Sequence, residues 1–199
     1  MMTTFWNARY TTDEYVYGTL PNAFLSEQLE QSATGKILFP AEGEGRNAVF
    51  AAQLGFNVFA FDSSEVARGK ALLLADDKKV SIQYRLAGYA DVDYPKNSFD
   101  VIALIFAHMP AQFRREWHRK LVSYLKPGGK LILEGFSKDQ LKYNSGGPKD
   151  PTMLFSIEEL SDDFSDLKEV RLYTHLTELN EGEYHRGAAS VIRLTGIKT

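Results

Sequence analysis

The sequence predicts an α/β protein, a doubly wound and mostly parallel sheet of about seven strands that ends in an antiparallel hairpin. Three observations carry this expectation. Strand-like and helix-like segments alternate from Lys36 to about Phe136. Phe99 to Phe106 is the most apolar segment and reads as a central strand buried on both faces. After Phe136 the rhythm changes, and Val170–Leu179 and Ala189–Leu194 read as two strands around the turn Asn180-Glu181-Gly182-Glu183.

The elements follow in order. Ile37–Phe39 is a first strand and Asn47–Leu54 a first helix, closed by Gly55. Asn57–Phe61 is a second strand. Ser63 or Ser64 can cap the next helix, which runs to about Ala75. Val80–Leu86 is a third strand. A helix follows Pro110, and Phe113, Trp117, Leu121 and Leu125 recur every four residues, so that face is expected to pack on the sheet. It stops at Lys126-Pro127-Gly128-Gly129, before the strand Lys130–Leu133. Asn144–Pro151 is a polar Gly/Pro-rich loop, and Ser156-Ile157-Glu158-Glu159 has the spacing of a capping box. No internal repeat appears. The 199 residues are expected to form one domain, with an N-terminal segment 1–25 and a substrate-side loop 137–155.

Composition narrows the partners. The net charge of −3 argues against a nucleic-acid backbone as the main partner, and Arg114, Arg115, Arg119 and Lys120 read as a solvated helix face. The chain has no cysteine, which excludes disulfides, thiolate metal sites and a cysteine nucleophile. The four histidines lack H-E-x-x-H spacing and no carboxylate cluster accompanies them, so no metal is expected. The longest apolar run, Val101–Ala107, is too short to span a bilayer, and Met1–Asn7 lacks the pattern of a signal peptide. No membrane partner is expected, and the location expected is the cytoplasm.

The functional signal lies at Ala41-Glu42-Gly43-Glu44-Gly45-Arg46-Asn47-Ala48. It fits G-x-G-x-x-G/A between a strand and a helix, and Asp62 ends the next strand. Glycines there let the backbone approach a ligand, and the carboxylate can take a ribose diol. In such sheets ligands bind beyond the carboxyl ends of the strands. That places Ala41–Gly45, Asn47, Asp62, Ser63, Gly88–Asp91, Ile105 and Phe106–Met109 around one expected cleft. An adenosine-bearing cofactor follows; the loop alone does not say which.

Leu125-Lys126-Pro127-Gly128-Gly129-Lys130-Leu131-Ile132 and Asn97-Ser98-Phe99-Asp100-Val101-Ile102 resemble segments of class I S-adenosylmethionine-dependent methyltransferases. Trp6–Tyr10, Tyr15–Gly18, Pro21–Leu25 and Gly45-Arg46-Asn47 are similar to the tellurite-resistance and thiopurine methyltransferase group of small-molecule enzymes. The resemblance implies a Rossmann-like fold and S-adenosyl-L-methionine as cofactor, with the N-terminal segment folded over it and Arg9 and Tyr17 near its amino-acid end. It implies adenine recognition near Gly88, where the usual carboxylate is missing, by backbone groups at Tyr89 and Ala90 with Asp91 as a further candidate, and a carboxylate for the methionyl ammonium from Glu42 or Glu44. The sequence departs from the family pattern at Ala41, where a glycine is usual, and at Phe39, where an acid is usual.

Methyl transfer from a sulfonium is an in-line displacement whose leaving group becomes neutral. Positioning can supply much of the rate enhancement, and a base is needed only for a protonated nucleophile. His108, after the central strand, and His185, beside the late hairpin, are the candidates for proton acceptor. Glu134, Tyr143 and Lys149 are candidates for the acceptor pocket. The tellurite-like segments hint at a soft acceptor atom, sulfur, selenium or tellurium. Two other readings stay open from sequence: an NAD-dependent oxidoreductase, which the same loop fits, and a cofactor-binding protein without turnover.

Overall fold

The computed structural model describes residues 2–199. They form two compact units. The first runs up to Asp93 and includes the short segment Glu181–Tyr184; the second holds Tyr94–Asn180 and His185–Thr199.

The first unit opens with α1 (Met2–Tyr10) and, after an irregular strap, α2 (Ala23–Glu30). Asn22 caps α2 by accepting the Leu25 N–H. Next come β1 (Lys36–Pro40), α3 (Arg46–Gln53), β2 (Asn57–Asp62), α4 (Glu65–Asp77) and β3 (Gln83–Leu86). The strands are parallel in the order β3-β2-β1. Ile37, Leu38 and Phe39 are fully buried, as expected of strands covered on both faces. Ser64, not Ser63, caps α4 by accepting the Ala67 N–H. β3 starts at Gln83 rather than at Val80, because Val80 donates its N–H to Ala75 and so completes the exit from α4, with Lys79 at φ +56°.

The second unit contains β4 (Phe99–Ile105), α5 (Ala111–Tyr124), β5 (Leu125–Phe136), α6 (Ile157–Asp163), β6 (Leu167–Asn180) and β7 (Arg186–Lys198). Its strand order is β4-β5-β7-β6, with β4 and β5 parallel and the last two pairings antiparallel. The expected doubly wound, seven-stranded architecture with its terminal hairpin is thus the one observed. The capping box at Ser156 and Glu159 forms as its spacing suggests.

Two expectations are corrected here. The Pro127-Gly128-Gly129 segment lies within β5, and α5 has already ended at Tyr124. The inward face of α5 is Arg114, His118, Leu121 and Val122, whereas Phe113 is 41% exposed and stacks on Trp117 at 5.0 Å. The polar residues go inward because Asp163 meets both: Arg114 Nε at 3.0 Å and His118 Nδ1 at 2.9 Å. Buried charge is tolerated where it is paired in this way.

Segment 137–155 is folded down rather than loose. Two short 3-10 turns, Lys138–Lys142 and Pro151–Met153, shape it. Gln140 ties it to β7 by accepting the Ser190 N–H (2.8 Å) while donating to Ser145 and Gly146.

Candidate cofactor site

The loop after β1 is shaped by alternating left-handed residues: Ala41 at φ +50°, Gly43 at +64° and Gly45 at +88°. Ala41 adopts a conformation that glycine reaches without steric cost, at an expense of about 1 kcal/mol. The loop is pinned from below. Glu42 donates its N–H to Phe61, Gly43 donates to Asp62 Oδ2 (3.1 Å), and the Tyr84 hydroxyl donates to the Gly43 carbonyl (2.6 Å).

The two glycines answer to the protein's own packing. A Cβ on Gly43 would lie 2.8 Å from the Tyr10 hydroxyl, and one on Gly45 would lie 2.6 Å from the Cβ of Ala71. Gly43 therefore admits the end of α1, and Gly45 lets α3 and α4 approach. Both positions thus need glycine for the protein's own packing, in addition to any close approach by a ligand.

The carboxylates separate clearly. Glu42 Oε1 accepts the N–H groups of Asn47 (3.0 Å) and Ala48 (2.7 Å), so it caps α3, whose N-cap Gly45 has no side chain to do so. Burial raises its pKa to about 7, against the opposing pull of those N–H groups and of Arg46. No cationic side chain lies within ion-pair distance of Glu42 among the described residues. Glu44 is committed elsewhere: it pairs with Lys70 at 2.5 Å and accepts the Val16 N–H at 2.8 Å. That removes Glu44 as a carboxylate for a ligand ammonium. Asp62 accepts from Gly43 and, through Oδ1, from the Ser64 N–H (2.8 Å); burial raises its pKa. Each oxygen keeps further lone-pair capacity.

Around the loop, Asn47 accepts the Asn22 N–H (2.9 Å) and so holds the strap. Ser63 is half-buried beside Asp62. Gly88 donates to Asp91 Oδ2 (3.1 Å), Tyr89 stands edge-on to Phe61 at 5.4 Å, and Ala90 is exposed. Arg9 lies 3.9 Å over the ring of Tyr184 and hydrogen-bonds Tyr17, whose ring stands 6.3 Å from that of Tyr10. Among the described residues no acidic side chain lies within ion-pair distance of Arg9. Tyr10, Tyr84, Asn22 and Glu181 were not foreseen; their partners are distant in sequence, and no local pattern marks them.

In the second unit, β4 ends at the buried Ile105, and Phe106 turns out of the strand at φ +50°. Its ring packs against Phe136 (4.6 Å) and edge-on to His185 (4.5 Å), which is 6% exposed. His108 has both nitrogens engaged: Nδ1 lies 2.8 Å from the Met153 carbonyl, and Nε2 accepts the Phe136 N–H at 3.0 Å. This pairing fixes the Nδ1–H tautomer, and burial lowers the pKa to about 4. The ring is sandwiched between Phe155 and Phe136. His108 is thus a neutral structural imidazole, not the proton acceptor expected from its position. His108→Phe is expected to cost about 2–3 kcal/mol by orphaning the two backbone groups, measured by urea unfolding, with no change in any pH–rate profile between pH 6 and 8.

The other acceptor-side candidates scatter. Glu134 is buried and bound by its cross-strand partner Arg193 at 2.5 Å. A carboxylate held in that way is a sheet tie, so the expectation of a pocket role is corrected. Tyr143 is half-buried, and Lys149 is exposed on the loop. Among the described residues no group of three His, Asp or Glu could hold a metal ion, and no helix is long and apolar enough to cross a membrane.

Comparison with known proteins fits this loop. Residues 37–129 match the model of a methyltransferase domain family. A demethylmenaquinone methyltransferase of Clavibacter sepedonicus is 28% identical over 123 residues, 56% of this chain and 49% of that protein, so the match spans about half the length of the relative. Among solved structures, one described as conversion of a disulfide bond into a thioacetal group during echinomycin biosynthesis superposes with a TM-score of 0.79 at 17% identity, covering 100% of this chain and 92% of that one. TehB from Haemophilus influenzae gives 0.70 at 16% identity, over 99% of this chain and 67% of that one. A SAM-dependent methyltransferase from Methanosarcina mazei gives 0.70 at 15% identity, over 90% and 99%. The domain model and the fold point the same way: residues 37–129 are similar to a methyltransferase domain family, and the chain has the fold of solved SAM-dependent methyltransferases.

Proposed function

We propose that this chain transfers the methyl group of S-adenosylmethionine to a small-molecule acceptor with a soft nucleophilic atom, sulfur first. The observation that carries the cofactor half is Glu42. It is a half-buried carboxylate at the N-terminus of α3, with no cationic side chain within ion-pair distance among the described residues. A carboxylate placed in this way suits an ammonium. Arg9, a guanidinium with no acidic side chain in ion-pair distance among the described residues, suits the matching carboxylate. In this reading Glu42 takes the methionyl ammonium, Arg9 and Tyr17 its carboxylate, and Asp62 the ribose diol. The backbone of Gly88–Ala90 takes the adenine, and Ala41, Gly43, Gly45, Asn47 and Ser63 frame the rest.

The bound cofactor supplies an electrophilic methyl on a sulfonium, which leaves as a neutral thioether. The chain's own task is then to hold groups in line and to exclude water. A thiol arrives protonated near neutral pH, and His185 is the residue assigned to accept that proton. It sits edge-on to Phe106 and Phe136, where a soft, polarisable acceptor finds apolar contact. The sulfur chemistry named for the echinomycin structure supports this choice of acceptor atom.

The test is turnover. Release of S-adenosylhomocysteine is measured over a panel of small thiols, selenols, phenols and amines. Turnover with thiols or selenols, falling at least about tenfold in His185→Asn at pH 6.5, is the expected result. Turnover with phenols or amines alone would overturn the soft-acceptor assignment.

A further inference from the structure

We infer that Glu181 is a positioning residue that latches the strap between α1 and α2 over the cofactor loop and sets the rate of cofactor exchange. The inference rests on the cofactor assignment above. The strap, residues 11–22, has no helix or strand to hold it, so its place depends on ties to its surroundings. Glu181 provides one of them directly and supports a second through Arg46. Its Oε2 pairs with Arg46 Nη2 at 2.8 Å, with side chains only 12% and 8% exposed. Its Oε1 accepts from Asn22 Nδ2 at 2.9 Å, at the end of the strap.

Arg46 is the first residue of α3, next to Gly45 of the loop, and its Nη1 reaches the Leu20 carbonyl at 3.3 Å. One carboxylate therefore joins the helix that follows the cofactor loop to the strap. The residue after it completes the contact. Gly182 sits at φ +77°, and a Cβ there would press on backbone atoms of Val16, Tyr17 and Gly18. Two residues further on, Tyr184 lies under the Arg9 guanidinium and 6.5 Å from the Tyr17 ring. Glu181–Tyr184 thus bears on both residues assigned to the methionyl carboxylate, and it does so through strap backbone and an ion pair rather than by touching the cofactor.

An ion pair this shielded is stronger than a surface pair, and its loss leaves Arg46 partly buried and unmatched. A strap freed at that point lets Arg9 and Tyr17 drift, and the cofactor leaves and enters faster.

Release of bound S-adenosylhomocysteine is followed by stopped-flow displacement in the wild type, Glu181→Ala and Glu181→Gln, with thermal melts alongside. Glu181→Ala is expected to speed release at least roughly tenfold and to speed binding as well, so affinity falls less than the release rate rises. Glu181→Gln, which can still accept from Asn22, is expected to fall between. A merely structural role would lower the melting temperature and leave the release rate alone. Release within about twofold of wild type in a folded variant overturns the latch, and Glu181→Gln is read by the same criterion if Glu181→Ala does not fold. No binding by the wild type would instead overturn the cofactor assignment, and the latch with it.

Discussion

Glu42→Gln is expected to weaken binding of S-adenosylmethionine by roughly 10–100-fold at pH 8 while making the ligand-free protein more stable. Both effects come from one carboxylate. Burial lifts its pKa from the ordinary 4.5 to about 7. A group whose folded pKa is raised contributes stability that is fully present below the unfolded value. That stability is lost as pH rises through the folded value. Between pH 4.5 and 8 the ligand-free wild type therefore gives up about 3 kcal/mol at this site, an order-of-magnitude figure. Glutamine avoids the loss. Its amide oxygen still accepts from Asn47 and Ala48, so the cap on α3 survives. Cofactor binding runs the other way, because the ammonium needs the ionised form. Wild-type affinity should rise with pH through about 7, and the variant should show no such rise. Titration calorimetry from pH 5.5 to 8.5, paired with urea unfolding at the same pH values, reads both effects. Parallel pH profiles in the two proteins would contradict the assignment of Glu42.

Gly45→Ala is expected to destabilise the fold by about 3 kcal/mol, from overpacking and from the left-handed backbone together. Both causes are local. The backbone sits at φ +88°, and the new Cβ would fall 2.6 Å from the Cβ and 2.9 Å from the Cα of Ala71 on α4. Helices α3 and α4 would have to part, and with them the start of α3, where Glu42 holds its N–H groups. Adding Ala71→Gly removes one of the two collisions and should return about 1 kcal/mol, but it leaves the backbone strain and the contact with Cα. Urea unfolding of the single and double variants measures the difference. A loss under about 1 kcal/mol in Gly45→Ala would show that the helices shift without cost, contrary to the packing described.

The alternation of strands and helices was legible because it rests on local periodicity. Ile37–Phe39, Asn57–Phe61 and the late hairpin fall within a residue or a few of their expected places. Caps were legible for the same reason: Ser156 and Glu159 answer each other three residues apart. The face of α5 was not legible. Its apolar spacing pointed to Phe113 and Trp117, yet Arg114 and His118 go inward because Asp163, far along the chain, is there to receive them. His108 was misread for a related reason. Its place after a central strand suggests exposure to ligand, but Met153 and Phe136 occupy both its nitrogens.

The candidate site divides in the same manner. Its location on the loop after β1 follows from strand, glycines and helix in sequence. That Glu44 is held by Lys70 and Val16 while Glu42 caps α3 does not, since these contacts are made only in the folded chain. The glycines fit the ligand motif while also meeting the needs of Tyr10 and Ala71. Glu181 reads in sequence as one polar residue of a turn; only the folded chain brings it to Arg46 and Asn22.

The measurement that bears most directly on the central claim is calorimetric titration of the wild type with S-adenosylhomocysteine and, separately, with NADH. One site of micromolar-range affinity for the homocysteine compound, with NADH far weaker, is the predicted result. Tight binding of NADH with none of the homocysteine compound would contradict it and return the loop to the dinucleotide reading that its glycines also fit.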